Sequence, residues 1–228
     1  HRKRDGYDIR VPIIEEAKAK NTKLIVTTDC GIQRVDEVEH ARQAGIDVIV
    51  TDHHTPKTNG ELPNAVAVVN PHRHDSVYPF PNIAGVGVAF KMGEALTKYL
   101  GYSPDRFRNA YLDLACIGTV TDVMPLLDEN RIIVKHGLEV LKNTKKPGLK
   151  ALVEECIDPT KPLTPYTIGF QLGPRLNAAS RVDETIHALN ILLTKNEAEG
   201  KQLAEHLTRM NMERREILAR MMDEATEE

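Results

Sequence analysis

The sequence has no tryptophan, and aromatic residues make up only 4% of its 228 residues, so surfaces on which nucleic-acid bases stack reduce to individual rings. It has no excess of basic residues either. Thirty Lys and Arg against 33 Asp and Glu give a formal net charge of −3, without the chain-wide basic footprint of a nucleic-acid binder. A local basic stripe stays open, because carboxylates clustered at a metal site would be neutralised by the bound ions. Three cysteines, at positions 30, 116 and 156, form neither a disulfide framework nor a zinc pattern and point to a reducing compartment. No apolar run approaches the roughly 18 residues that cross a bilayer, and no signal peptide opens the chain. The expectation is a cytoplasmic protein with no membrane role. Repeats and low-complexity segments are absent, and at 41% hydrophobic content the chain can bury a sizeable core.

What is there begins with two apolar runs, Leu24 to Gly31 (LIVTTDCG) and Val48 to His54 (VIVTDHH), each ending in carboxylate or imidazole groups. Between them, Arg34 to Gly45 has the apolar spacing of one amphipathic helix (Val35, Val38, Ala41, Ala44) closed by glycine. Strand, helix, strand predicts parallel pairing with a right-handed crossover. Ligands of open parallel sheets collect beyond the carboxyl ends of the strands, where Asp29, Asp52, His53 and His54 emerge. Asp after a strand also serves as a turn former or helix cap, but carboxylate and imidazole together are what a Mn²⁺, Fe or Zn²⁺ site uses. A third carboxylate, Asp122, ends a helix read over Asn109 to Val123 that Pro125 should stop. Lodged among Val120, Val123 and Met124, it needs a partner or a metal, unless it caps the local turn.

The predicted elements are helices at 9–20 and 34–45 and strands at 23–28, 46–51 and 65–69. A proline-marked loop over 71–82 follows, and then helices at 84–100, 105–121, 130–142, 148–156, 183–193 and 196–225. The fold class is α/β, a parallel sheet flanked by helices, followed by a helical portion and a long connector helix. Residues 1–195 are read as one core, α/β to about 80 and mainly helical after, with 196–228 as the connector. Gly173 to Arg181 is read as a loop whose Arg175, Asn177, Ser180 and Arg181 suit phosphate recognition. The Gly85-Val-Gly87 segment is too sparse for a dinucleotide fingerprint; close helix packing or a helix amino terminus facing phosphate explains it better. His72 to His74 is read as a solvated turn.

Asp52-His53-His54, preceded by Asp29-Cys30-Gly31 and followed by Gly118 to Asp122 (GTVTD), resembles the DHH phosphoesterases. Asn82 to Lys91 (NIAGVGVAFK) and Gly169 to Arg181 (GFQLGPRLNAASR) are similar to the RecJ branch of that family. The resemblance runs almost from end to end. It implies a 5′-to-3′ exonuclease acting on single-stranded DNA in repair and recombination, working by two-metal phosphodiester hydrolysis with Mn²⁺ or Mg²⁺. It implies that Asp29 bridges the two ions, that His53 and Asp122 bind one of them, that Asp52 orients the site and that His54 contacts the scissile phosphate. The Arg175 to Arg181 segment would hold the strand, Arg2 the 5′-terminal phosphate, and Tyr7 would lie near the bases. Monomeric behaviour, and single-strand-binding or helicase partners, are further implications.

The family pattern includes an earlier strand ending in Asp-x-Asp-Gly and a second domain, neither of which is found here. The expectation is a core of a larger protein, with at most one metal bound well and weak or no activity in isolation. Two other readings remain. One is another DHH phosphoesterase, such as an oligoribonuclease, a cyclic-dinucleotide phosphodiesterase or a pyrophosphatase. The other is a non-catalytic DHH scaffold, against which the retained Asp29, His53, His54 and Asp122 argue.

Overall fold

A computed structural model describes residues 6–158, 160–181 and 185–226. They fall into two compact units, one running to Glu139 and the other from Val140. The change from α/β to helical composition near residue 80 lies inside the first unit.

The first unit opens with α1 (Val11–Ala19), β1 (Leu24–Thr28), α2 (Val35–Gln43), β2 (Asp47–Thr51) and β3 (Ala67–Val69). The strands form a parallel sheet in the order β1-β2-β3, with Leu24 opposite Asp47 and Ile49 opposite Ala67. Ile9 and Ile14, with Val38 and Ala41 of α2 and Ile46, Val48 and Val50 of the β2 segment, bury one apolar cluster. The 3.6-residue spacing of α2 therefore meets the two-residue alternation of β2 across a single layer. Beyond β3 come α3 (Gly85–Tyr99), α4 (Pro104–Thr121) and α5 (Asp128–Lys142). Phe80, Ile83, Val88, Ala115 and Ile133 close a second cluster among them.

The second unit is helical among its described residues: α6 (Pro147–Cys156), a single turn α7 (Pro165–Thr167), a π-helical stretch Ile168–Leu172, α8 (Gly173–Arg181), α9 (Thr185–Leu193) and α10 (Glu197–Thr226). Here the structure corrects the sequence reading, because Gly173 to Arg181 is a helix and not a loop. Pro174 has no N–H for a helical hydrogen bond, and it sits directly after the π-helical stretch Ile168–Leu172, where the bonding pattern is already shifted. Buried Ala178 and Ala179 seat the helix, which packs on α9 and α10. Tertiary packing has overridden a loop-like composition.

Candidate metal centre

The carboxyl ends of β1 and β2 are pinned together before any functional group appears. Thr51 Oγ1 donates to Thr27 O at 2.6 Å, Thr27 Oγ1 donates to Cys30 O at 2.8 Å, and Asp29 N donates to Thr51 O at 3.0 Å. At that point the chain leaves β1 through two left-handed residues, Asp29 (φ 63°) and Gly31 (φ 106°). Aspartate tolerates this region better than most residues, and glycine enters it freely. The turn carries Asp29 out over the sheet edge and brings Ile32 N to Asp52 Oδ2 at 3.0 Å.

Asp52 is 1% exposed, and a carboxylate so buried costs several kcal/mol unless its oxygens are satisfied. Besides Ile32 N, it accepts His53 N at 2.8 Å, His54 N at 3.2 Å and His54 Nδ1 at 2.6 Å. Burial pushes its pKa up, but these donors outweigh that and hold the group below the usual carboxylate range. Asp52 is a fixed anion that orients His54. Because the His54 Nδ1 proton goes to Asp52, Nε2 of the exposed ring is the free nitrogen.

His53 is held from the other side. Its Nδ1 faces the Ile83 carbonyl at 3.1 Å, and since a carbonyl only accepts, Nδ1 carries the proton. Nε2 then points at two carboxylates, Asp29 Oδ1 at 3.1 Å and Asp122 Oδ2 at 3.5 Å. The hydrogen bond to Asp29 raises the His53 pKa above its ordinary value, against the effect of burial and with help from Asp122. Burial pushes the Asp122 carboxyl above its ordinary range. Ligand atoms of Asp29, His53 and His54 lie within 4.8 Å of one another. An imidazole whose Nδ1–H is fixed by a carbonyl and whose Nε2 faces carboxylates is arranged as in metal-binding histidines, with a cation taking the place of the Nε2 proton. These residues fit a divalent cation.

Asp122 departs from the sequence reading. It is not lodged among apolar groups but caps α4 with its side chain 40% exposed. Val123 takes a left-handed φ of 58° and is left 86% exposed, so the chain turns outward here while Asp122 faces His53. A β-branched residue in that region is a real backbone outlier, and such strain clusters at functional sites.

Tyr7 is exposed, with its carbonyl accepting from Arg10 Nε at 3.3 Å. Arg175 lies in the second unit, donating to Thr208 Oγ1 and Gln171 O, and Asn177 is exposed there. Arg2 lies outside the described residues, as do the side chains of Ser180 and Arg181. Arg73 of the His72–His74 turn is paired with Asp75 at 2.6 Å. Cys30 is no thiolate, because burial pushes its thiol up to about 11.

Sequence reasoning missed the residues that act through the backbone. Asn70 donates its side-chain amide to His54 O at 2.9 Å and accepts His72 N at 2.7 Å; an Asn directly after the third strand was the available signal. Ile83 contributes a carbonyl, which no side-chain pattern reveals. Gly85 opens α3 against Asp29, and a Cβ there would press on the Asp29 carboxylate.

Comparison with known proteins gives the chain a family and relatives. Residues 3–119 match the DHH family, N-terminal domain. The chain is 41% identical over 224 residues to the single-stranded-DNA-specific exonuclease RecJ of Bacillus subtilis, covering 98% of this chain and 27% of that protein. It is 42% identical over 230 residues to the RecJ of Escherichia coli, covering 97% of this chain and 40% of that protein. Among solved structures, exonuclease RecJ bound to manganese superposes with a TM-score of 0.87 at 35% identity, over 98% of this chain and 55% of the other. RecJ of Thermus thermophilus in complex with Mn²⁺ superposes at 0.83 and 35% identity, over 95% and 32%. The chain thus spans well under half the length of these curated relatives. No described helix is long and apolar enough to cross a membrane.

Proposed function

The chain belongs to the DHH family, and from that premise we propose that it is the catalytic core of a metal-dependent 5′-to-3′ exonuclease for single-stranded DNA, serving repair and recombination. The supporting observation is the Nε2 of His53 set between Asp29 and Asp122 while Ile83 O holds the other ring nitrogen. Asp29, His53 and Asp122 would hold Mn²⁺ or Mg²⁺. An imidazole in the donor set favours Mn²⁺, since Mg²⁺ prefers oxygen alone. When bound, the ion supplies an activated water and offsets charge on the scissile phosphate.

The chain's own residues account for the rest. Asp52, ionised across the neutral range, keeps the His54 Nδ1 proton in place, so Nε2 is held outward, where it can take up a proton and then donate it to a phosphate oxygen or leaving group. Both carboxylates that face His53 also repel phosphate until a cation neutralises them, which makes metal loading a condition for substrate binding. The donors gathered here suit one ion. The second ion of a two-metal hydrolysis needs carboxylates that the described residues do not bring to this site. Arg175 and Asn177 are proposed as strand-holding groups, together with Arg2, Tyr7, Ser180 and Arg181.

Titration of this chain with Mn²⁺ by calorimetry should give about one saturable site. Binding requires the raised His53 proton and any Asp122 proton to leave, so affinity should climb with pH through and above about 6.5, the ordinary histidine value. Repeating the titration in buffers of different ionisation enthalpy measures the released protons. On the longest polypeptide its gene encodes, 5′-phosphorylated single strands should be degraded in Mn²⁺ ahead of duplexes and dinucleotides. Preference for dinucleotides would move the assignment to another DHH phosphoesterase, and a chain that takes up no metal would favour a scaffold.

A further inference from the structure

The three metal donors come from separate stretches of chain, and two loops set two of them in place: the segment around Asn82 and Ile83, which fixes the His53 ring, and the turn after α4, which presents Asp122. We infer that Asn130, in the first turn of α5, is a positioning residue that keeps these two loops in register for metal binding. The inference rests on the metal-binding reading above.

Asn130 is fully buried, at 0% exposure. Its Nδ2 donates to Asn82 O at 2.7 Å and to Pro125 O at 3.0 Å. Both amide hydrogens are therefore used, one on each loop. Asn82 immediately precedes Ile83, whose carbonyl fixes His53 Nδ1. Pro125 lies three residues beyond Asp122, on the far side of the left-handed Val123. Two carbonyl oxygens converging on one point demand a double donor, so the orientation of the amide follows from its neighbours. A flipped amide would set Oδ1 against both carbonyls, and an ionised aspartate would have no hydrogen to give.

The other end of the same side chain strengthens the case. Among the described residues Oδ1 finds no hydrogen-bond partner although it is buried. An unpaired buried acceptor is unfavourable, and an apolar side chain of similar size would avoid it. An amide at this position is thus explained by what its nitrogen does for the two loops. Its neighbour Glu129 points elsewhere, accepting from Lys91 Nζ at 2.5 Å and from the Tyr78 hydroxyl, so the clamp on the metal loops belongs to Asn130 alone among the described side chains of this turn.

The test compares Mn²⁺ affinity by calorimetry with urea stability for the parent chain, Asn130→Ala, Asn130→Ser and Val134→Ala. Val134 is buried on the same helix, 3% exposed, and its side chain is remote from the two clamped carbonyls in sequence. Removing a hydrogen-bonded support of a metal ligand weakens binding about 10- to 100-fold. Acting one step further out, Asn130→Ala should lose on the order of tenfold in Mn²⁺ affinity. Asn130→Ser, which keeps one donor, should lose less. Val134→Ala should unfold at lower urea yet bind Mn²⁺ as the parent does. If Asn130→Ala does not fold, Asn130→Ser carries the comparison. Parent-like affinity in the folded Asn130 variants, or an equal loss in Val134→Ala, overturns the inference and leaves the metal centre standing. A parent chain that takes up no Mn²⁺ overturns both.

Discussion

Asp29→Asn is expected to lower Mn²⁺ affinity by more than about a hundredfold, while the urea midpoint at about pH 8 barely moves. Loss of a hydrogen-bonding support of a metal ligand already costs about 10- to 100-fold; here the ligand side chain itself is replaced. Asparagine is chosen over alanine because Asp29 has φ 63°. Alanine in that left-handed conformation costs roughly 1–2 kcal/mol, which would mix backbone strain with the loss of a ligand. Asparagine tolerates the conformation and leaves the hydrogen bond from its backbone N to Thr51 O intact.

The same variant carries an electrostatic signature. The hydrogen bond to Asp29 is the largest cause of the raised His53 pKa, so in the metal-free chain the ring should titrate lower after substitution. A histidine whose folded pKa exceeds its unfolded value contributes stability that is fully present below the unfolded pKa and is lost as pH rises through the folded one. Asp29→Asn should therefore reduce stability on the acid side of about pH 6.5 and leave it little changed at pH 8. Calorimetry and ring-proton NMR titration together check both parts. Mn²⁺ affinity within threefold of the parent would remove Asp29 from the ligand set.

Much of the first unit was legible because its elements obey single rules. Parallel strands read as short apolar runs even where, as in β1, much of the strand is exposed, and the glycine-closed spacing of α2 marked the crossover, so β1, α2 and β2 appear within a residue or two of their expected bounds. Asp29, His53 and His54 could be placed together because strand ends of one parallel sheet share an edge. What the sequence hid depends on the backbone. The carbonyl of Ile83, the amide clamp of Asn130 and the outward turn at Val123 have no side-chain signature. Helix α8 was hidden for a different reason: Gly, Pro, Asn and Ser suggest a loop locally, and only packing against α9 and α10 stabilises the helix.

Gly85→Ala should separate the metal site from the fold in the opposite sense to an ordinary core change. Gly85 is the first residue of α3 and lies outside the positive-φ region, so alanine fits the backbone and is the better helix former, by up to about 1 kcal/mol. The added Cβ, however, would stand 2.6 Å from Asp29 Cγ and 2.8 Å from Asp29 Cβ, well inside contact distance. Asp29 has little room to yield, since its left-handed backbone is tied to β2 through Thr51 O. Its carboxylate must swing away from His53 Nε2 and break the 3.1 Å approach. The expected result is a Mn²⁺ affinity lower by about 10- to 100-fold, with urea stability held or slightly raised. Gly93→Ala on the same helix supplies the mirror image. Its Cβ would meet the Phe107 ring at 2.5 Å and 2.9 Å, an overpacking that costs roughly 1–3 kcal/mol without touching a metal donor. Stability should fall there while Mn²⁺ affinity holds. If both glycine variants lose stability alike and bind Mn²⁺ alike, Gly85 is a packing residue, and the close approach of α3 to Asp29 plays no part in shaping the metal centre.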